Sequence, residues 1–168
     1  GIFKYYKNKQ ELFIAVVDKF WFSTQNPRNK FTETNGTFAE FIDEYVRGVQ
    51  RTMDMLGDLI GAEREKVAQG KFTYHAQYFH FLFQLLQYDP DAKEKLRNLV
   101  DGDYAYWRAA IQRAIATGEL REDVDVEDAV VMFRQVYMGL SFEMAFMGGL
   151  NTQRLAKHLH AVYSLLKR

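Results

Sequence analysis

Apolar residues recur at intervals of three and four along most of this chain, the period of a helix with one face turned inward. The first such run is Leu12, Phe13, Val16, Val17 and Phe20. Asn8 stands before it as a cap for free backbone N–H groups, and Glu11 is placed to reach back as in a capping box. These features predict a helix over Lys9 to Phe22. Ser23 to Gly36, STQNPRNKFTETNG, is polar with a Pro and a Gly and predicts a surface loop. Thr37, with Glu40 as capping-box partner, opens a second helix. Its stripe is Phe38, Phe41, Ile42, Tyr45, Val49, Met53 and Leu56, with Gly57 a weak point and an end near Gly61. Ala62 to Gly70 is charged and predicts a helical end or a connection.

Phe72 to Tyr88, FTYHAQYFHFLFQLLQY, is aromatic nearly all round. A helix apolar on every side is expected at the centre of a fold. Asp89 is placed to cap the next helix with Pro90 at its first position. That helix carries Leu96, Leu99, Val100, Tyr104, Trp107, Ala110, Ile111, Ala114 and Ile115 on one face and should stop at Gly118. Glu119 to Val124 reads as a short link, and Asp125 caps a helix over Val126 to Met147. This helix is apolar on two sides. One side holds Ala129, Phe133, Val136, Tyr137, Leu140 and Met144; the other holds Val131, Met138, Phe142, Ala145 and Phe146. The second face exceeds what its own core needs, and the pattern leaves open which of the two lines a pocket and which meets a partner. After Gly148-Gly149, Asn151 caps a last helix with Leu155, Leu159, Val162 and Leu166 on one face. The pattern as a whole predicts an all-α fold of about six to eight helices.

Composition narrows the function. The chain of 168 residues can bury a substantial core. It holds 22 basic and 22 acidic side chains, so there is no global basic field for nucleic acid. With no Cys, a disulfide scaffold and a cysteine nucleophile are excluded. No apolar run reaches the roughly 18 residues of a membrane span, and no signal peptide opens the chain; the expected location is cytoplasmic.

Two stretches together resemble a known family. GIFKYYKNKQELF, Gly1 to Phe13, joins a short basic and aromatic piece to a capped helix through a Lys7-Asn8-Lys9 corner. It is similar to the end of the helix-turn-helix DNA-binding domain of TetR-type bacterial repressors, where the recognition helix runs into a connecting helix. AIATGELREDVDVEDAV, Ala114 to Val130, resembles the link before the last two helices of the same family. The resemblance implies a TetR-type ligand-binding body with a two-helix dimerisation face. It implies that residues 1–22 are a remnant of the DNA-binding domain plus the connecting helix, and that 23–168 form the ligand-binding and dimerisation domain. Because the chain opens inside the recognition helix, most of the DNA-binding head is expected to be missing from it.

By position, the resemblance assigns Lys4 and Tyr5 to the DNA groove and Lys9 to phosphate. Phe3 departs from the family's usual Tyr there and lacks that hydroxyl. It also implies a homodimer through the last two helices, with Val131, Met138, Phe142, Phe146, Leu155, Leu159, Val162 and Leu166 at the interface. Ten Tyr, fourteen Phe and two Trp exceed what a plain helical core requires. Rings with a few polar tips suit a small lipophilic or aromatic ligand. The expected ligand residues are Phe20, Met53, Tyr74, His75, Tyr78, Tyr104, Trp107 and Tyr137. His75 and His80 are five apart and His158 and His160 two apart, neither of which puts a pair on one helix face for a metal. No metal and no cofactor is expected. Glu143 lies in an apolar run, SFEMAFM, and must face solvent, a partner subunit or a cationic ligand.

No phosphate-cradling loop, nucleophile elbow or motif-placed acid–base pair suggests an enzyme. The function expected is a ligand-responsive transcriptional repressor whose DNA contact requires the intact protein. The alternative is a helical small-molecule-binding or protein-interaction module with no DNA role.

Overall fold

The computed structural model describes residues 6–31, 36–59 and 74–168, and only the backbone of 56–59, 74, 75 and 77. Asn8 starts helix α1, Lys9–Val16, as its chemistry requires: its Oδ1 accepts the Glu11 N–H at 2.8 Å, and the Glu11 carboxylate accepts the Lys7 N–H at 2.8 Å. The helix then loosens into a π-helical turn, Val17–Trp21, before continuing as α2, Phe22–Gln25. A π turn takes up extra chain per turn and rotates everything after it. This corrects the face read from the sequence. Phe13, Val17 and Trp21 turn inward, whereas Val16 is 47 % and Phe20 43 % exposed.

The polar stretch expected as a loop also holds helix. Asn26 accepts the Arg28 N–H, Pro27 fits the first helical position, and α3 spans Pro27–Lys30. Lys30 and Phe31 are buried. Two glycines allow α3 to lie this deep. A Cβ on Gly48 would come within 2.0 Å of the Lys30 carbonyl oxygen, and one on Gly102 within 2.8 Å of the Pro27 ring.

Helix α4, Phe38–Leu59, begins with the expected reciprocal pair of Thr37 and Glu40. A second acceptor comes from far along the chain: the Glu119 carboxylate accepts the Phe38 N–H at 2.8 Å, the Ala39 N–H at 3.3 Å and the Tyr163 hydroxyl at 3.0 Å. An anion at a helix N-terminus completes free donors and opposes the positive end of the dipole. Helix α5 is Tyr74–Tyr88; Phe72, Gly61 and the Ala62 to Gly70 connection lie outside the described residues. Asp89 Oδ1 accepts the Asp91 N–H in a turn, so α6 is Ala92–Ala116 and Pro90 precedes it rather than opening it.

Gly118 ends α6 at φ +76°, where its N–H reaches Ile115 O and that of Glu119 reaches Ala114 O. Leu120 is fully buried, and Arg121 donates from its backbone to Leu166 O and from its guanidinium to Leu165 O. Within the Gly-Glu-Leu-Arg link, Gly118 ends α6, Glu119 reaches α4 and Tyr163, Leu120 enters the core and Arg121 holds the chain at Leu165 and Leu166. Helix α7, Val126–Ala145, follows with Asp125 capping Asp128, and α8, Thr152–Leu166, with Asn151 capping Arg154.

The main core gathers Ile42, Tyr45, Trp107, Ile111, Phe133, Leu155 and Leu159 from α4, α6, α7 and α8. Trp107 stacks on Phe133 with centroids 4.9 Å apart and interplanar angle 7°, and Tyr45 meets Trp107 at 4.8 Å. A second cluster, Val17, Trp21, Leu85 and Ala92, fastens the connecting helix to α5 and α6. The described elements are α-helical apart from the π turn at Val17–Trp21 and a single bridge between Leu120 and Lys167. No helix among the described residues is long and apolar enough to cross a membrane.

Candidate ligand site and its link to the connecting helix

At the centre of the helical body, three charged side chains from three helices converge. Asp103 of α6 has Oδ2 at 3.5 Å from Arg134 Nε of α7 and 3.9 Å from Lys30 Nζ of α3. The Lys30, Asp103 and Arg134 side chains are 6, 4 and 9 % exposed. Both cations lie against one ring: Lys30 Nζ is 5.6 Å and Arg134 Cζ 5.5 Å from the centroid of Tyr137. Tyr45 of α4 meets that ring edge-on at 5.9 Å.

The local chain explains why charge is held here. Asp103 occupies a core position of α6, one turn before Trp107, and Arg134 follows the buried Phe133 on α7. Burial opposes the charge on Arg134, but nearby Tyr45 and Asp103 outweigh it and hold its pKa above the ordinary arginine value. Burial, reinforced by Tyr137, pushes the Tyr45 and Tyr78 hydroxyls well above the usual phenol range, so both are neutral donors. Among the described residues, several buried polar atoms make no hydrogen bond: Gln25 Nε2, Tyr45 Oη, Asp103 Oδ1, Trp107 Nε1, Arg134 Nε and Nη1, and Ser141 Oγ. Most such atoms in folded proteins are satisfied, so the unpartnered atoms of Asp103, Arg134 and the adjoining Tyr45 point to a polar site at the ion cluster.

The connecting helix reaches this cluster by two routes. Trp21 packs on Tyr78 of α5 at 5.7 Å, and Tyr78 lies close enough to Arg134 and Asp103 to feel their charges. The chain then passes from α2 directly into α3 and Lys30. Outside, Lys95 of α6 bridges Asp18 of the connecting helix at 2.7 Å and Asp89 at 2.8 Å.

Of the ligand residues expected from sequence, Tyr137 lies against both cations, Tyr78 lies near them, and Trp107 is joined to Tyr137 through Tyr45. Tyr104 and Met53 are partly buried against the main core. The side chains of Tyr74 and His75 lie outside the described residues. Phe20 is corrected: the π turn carries it outward beside Lys19, and Trp21 takes the inward position. The sequence reading missed Lys30, Tyr45, Asp103, Arg134 and Ser141. The available signal was Asp103 and Arg134 standing within or beside apolar stripes; nothing local distinguished Lys30.

The expected dimer residues divide. Leu155 and Leu159 are 0 % exposed within their own chain, so they have no surface to offer a partner. They face the core because α8 packs that side on α4 and α7. Phe142 and Phe146 are exposed, with Phe142 edge-on to Phe79 of α5 at 5.2 Å, and Val131 is exposed. Met138 is partly buried, and Val162 and Leu166 are partly buried against the core. A groove of about 380 Å³ runs between α7 and α8, lined by Gln135, Val136, Gly139, Leu140, Glu143, His158, Ala161, Val162 and Leu165. Glu143 faces this groove exposed, and His160 instead pairs with Asp43 at 2.7 Å. Among the DNA residues, Lys9 is exposed at the first position of α1; Lys4 and Tyr5 lie outside the described residues.

Residues 49–159, about two thirds of the chain, match the family described as tetracyclin repressor-like, C-terminal domain. The chain belongs to this family. The match covers the second half of α4, all of α5, α6 and α7, and about half of α8, and with them Asp103 and Arg134. No curated protein and no solved structure matched the chain. Membership in a tetracyclin repressor-like family agrees with the all-α body and with a role in transcriptional regulation.

Proposed function

We propose that this chain is the ligand-binding and dimerisation body of a TetR-type repressor, in which a small lipophilic or aromatic molecule in the helical core controls DNA binding by the N-terminal head. The observation that supports this best is the packing of Trp21 on Tyr78, together with the direct passage of the connecting helix into Lys30. A ligand that shifts the Tyr78, Tyr137 and Lys30 cluster moves the base of the connecting helix with it. Lys9 then changes its place against phosphate, and Lys4 and Tyr5 change theirs in the groove. Such a ligand must bind the released state better than the DNA-competent one. The spacing of two recognition helices is set by the dimer and must match about one DNA turn. A repressor of this kind works beside the chromosome, which places it in the cytoplasm.

The homodimer belongs to the same proposal. The groove between α7 and α8 and the exposed Leu165 on its rim offer a self-complementary surface for a two-fold, four-helix interface. A Cβ on Gly139 meets no other atom within 4 Å, so this position lies open. Gly139→Arg and Leu165→Glu should each convert a dimer to a monomer in sedimentation without loss of helical circular dichroism. A dimer that persists in both variants would move the interface elsewhere.

Hydrogen exchange tests the control mechanism. The protein is isolated as a dimer, its retained small molecule is read by native mass spectrometry, and amide exchange is compared before and after that molecule is removed. The reading predicts altered exchange over Lys9 to Lys30. Unchanged exchange there, with changes confined to α5 to α7, would refute the lever.

A further inference from the structure

We infer that the molecule taken up by this core is a monoanion, a carboxylate with an apolar body, seated between Lys30 and Arg134. The inference rests on the ligand-body reading above and names the chemical class of its occupant.

Charge is the first argument. Lys30 and Arg134 share one acid, Asp103, at 3.9 and 3.5 Å, and all three side chains are more than nine-tenths buried. Two cations and one carboxylate leave the interior with one positive charge in excess. An unpaired buried charge is costly, and an arginine does not escape by losing its proton. A single added negative charge brings the cluster to neutrality, whereas a dianion would overshoot it.

Hydrogen-bond chemistry is the second argument. The buried groups without partners include Arg134 Nη1, the Trp107 indole N–H and the Tyr45 hydroxyl, all able to donate. Among the described residues, Asp103 Oδ1 is the lone pure acceptor among the unpartnered buried atoms. A site rich in unused donors is complementary to an acceptor group. The flat guanidinium matches a carboxylate in two parallel bonds.

The third argument concerns the rest of the ligand. Tyr137 lies against both cations, Tyr45 meets its ring at 5.9 Å, and Trp107 packs on Tyr45 at 4.8 Å, so ring surface continues away from the charges. Such walls favour an apolar remainder. The anion would also draw Lys30 away from Asp103, and Lys30 ends the segment that continues the connecting helix.

The test uses matched pairs on the full chain: hexanoate, decanoate and phenylpropionate against their primary amides, with chloride and sulfate at equal ionic strength as further arms. Thermal shift and tryptophan fluorescence are read together. The expected result is saturable stabilisation by one or more carboxylates, with the paired amide weaker by roughly 10- to 100-fold. Arg134→Gln and Lys30→Gln should each reduce carboxylate affinity by a similar factor. Each leaves one cation facing Asp103, so the unliganded variants are expected to fold. Amides that bind as well as carboxylates, or undiminished carboxylate binding in both variants, would overturn the anion assignment and leave the ligand body standing. Equal protection by chloride or sulfate would make this a simple anion site and overturn the carboxylate. If no member of any pair binds, the reading of the core as a ligand site fails, and this inference with it.

Discussion

Replacing Asp103 with Asn keeps the volume of the side chain and removes its charge. Lys30 and Arg134 are then buried without a counter-charge. At an effective dielectric constant of about 20, a unit pair at 3.9 Å attracts by about 4 kcal/mol and one at 3.5 Å by about 5 kcal/mol. These are gross attractions, reduced by the mutual repulsion of the two cations and by the hydration that Asp103 itself loses on burial. Removal of one partner from a buried pair costs about 3–5 kcal/mol. Against a total stability of about 5–15 kcal/mol, that is a large fraction. For a domain of this size it corresponds to a fall in Tm of roughly 6–20 °C. Urea denaturation at fixed protein concentration measures it, since any dimerisation links stability to concentration. Trp21 and Trp107 are both buried and report the transition. Adding Arg134→Met to Asp103→Asn removes one of the two stranded charges and should recover part of the loss. A cost below about 1 kcal/mol for Asp103→Asn, or a double variant as unstable as the single one, would refute the reasoning.

Gly48→Ala places a methyl group 2.0 Å from the Lys30 carbonyl oxygen, so α3 must move off α4; a loss of about 3 kcal/mol is expected by denaturation, with weakened coupling of Lys30 to Asp103. Glu119→Ala strips α4 of the carboxylate that accepts the Phe38 and Ala39 N–H groups and should cost about 2 kcal/mol, read the same way; Glu119→Gln should retain part of it. Burial opposes the charge on Asp89, but the bonds from Lys95 and the Asp91 N–H outweigh it and hold its pKa below the usual carboxylate value. Its contribution is therefore complete above the unfolded pKa of about 4 and is lost as pH falls through the depressed folded value; Asp89→Asn should flatten that acid limb of the stability curve. Lys95 is shifted the other way, burial being overcome by Asp18 and Asp89, so its contribution is complete below about pH 10 and fades as pH rises through its raised pKa. Asp18 is partly exposed, so added salt should shrink the Lys95 effect.

Local chemistry made much of the fold legible. Asn8, Thr37, Asp125 and Asn151 each cap the helix they were expected to cap, because a cap is settled within four residues of chain. Gly118 takes the left-handed turn expected of it for the same reason. The apolar stripes of α4 and α6 and the Ala129, Phe133 face of α7 supply much of the main core, since a single stripe of helical period has one inward solution. The α1 stripe failed at Phe20 because the π turn shifts the period after Val16, so that Val17 and Trp21 take the inward positions against α5 and α6. Leu155 and Leu159 lay on a readable apolar face, but a period cannot say whether that face meets its own chain or another copy.

The sequence by itself determined the longer helices, most of their caps, the direction of most apolar faces and the family resemblance at Ala114 to Val130, all properties carried by residues a few positions apart. The tertiary structure alone decided the site. Lys30, Asp103 and Arg134 lie far apart along the chain, and their meeting depends on α3 sinking past Gly48 and Gly102 to the level of the Tyr137 ring. Coulomb attraction at 3.5 Å and close approach of backbones are long-range facts of packing, and no local pattern of apolar and polar residues encodes them.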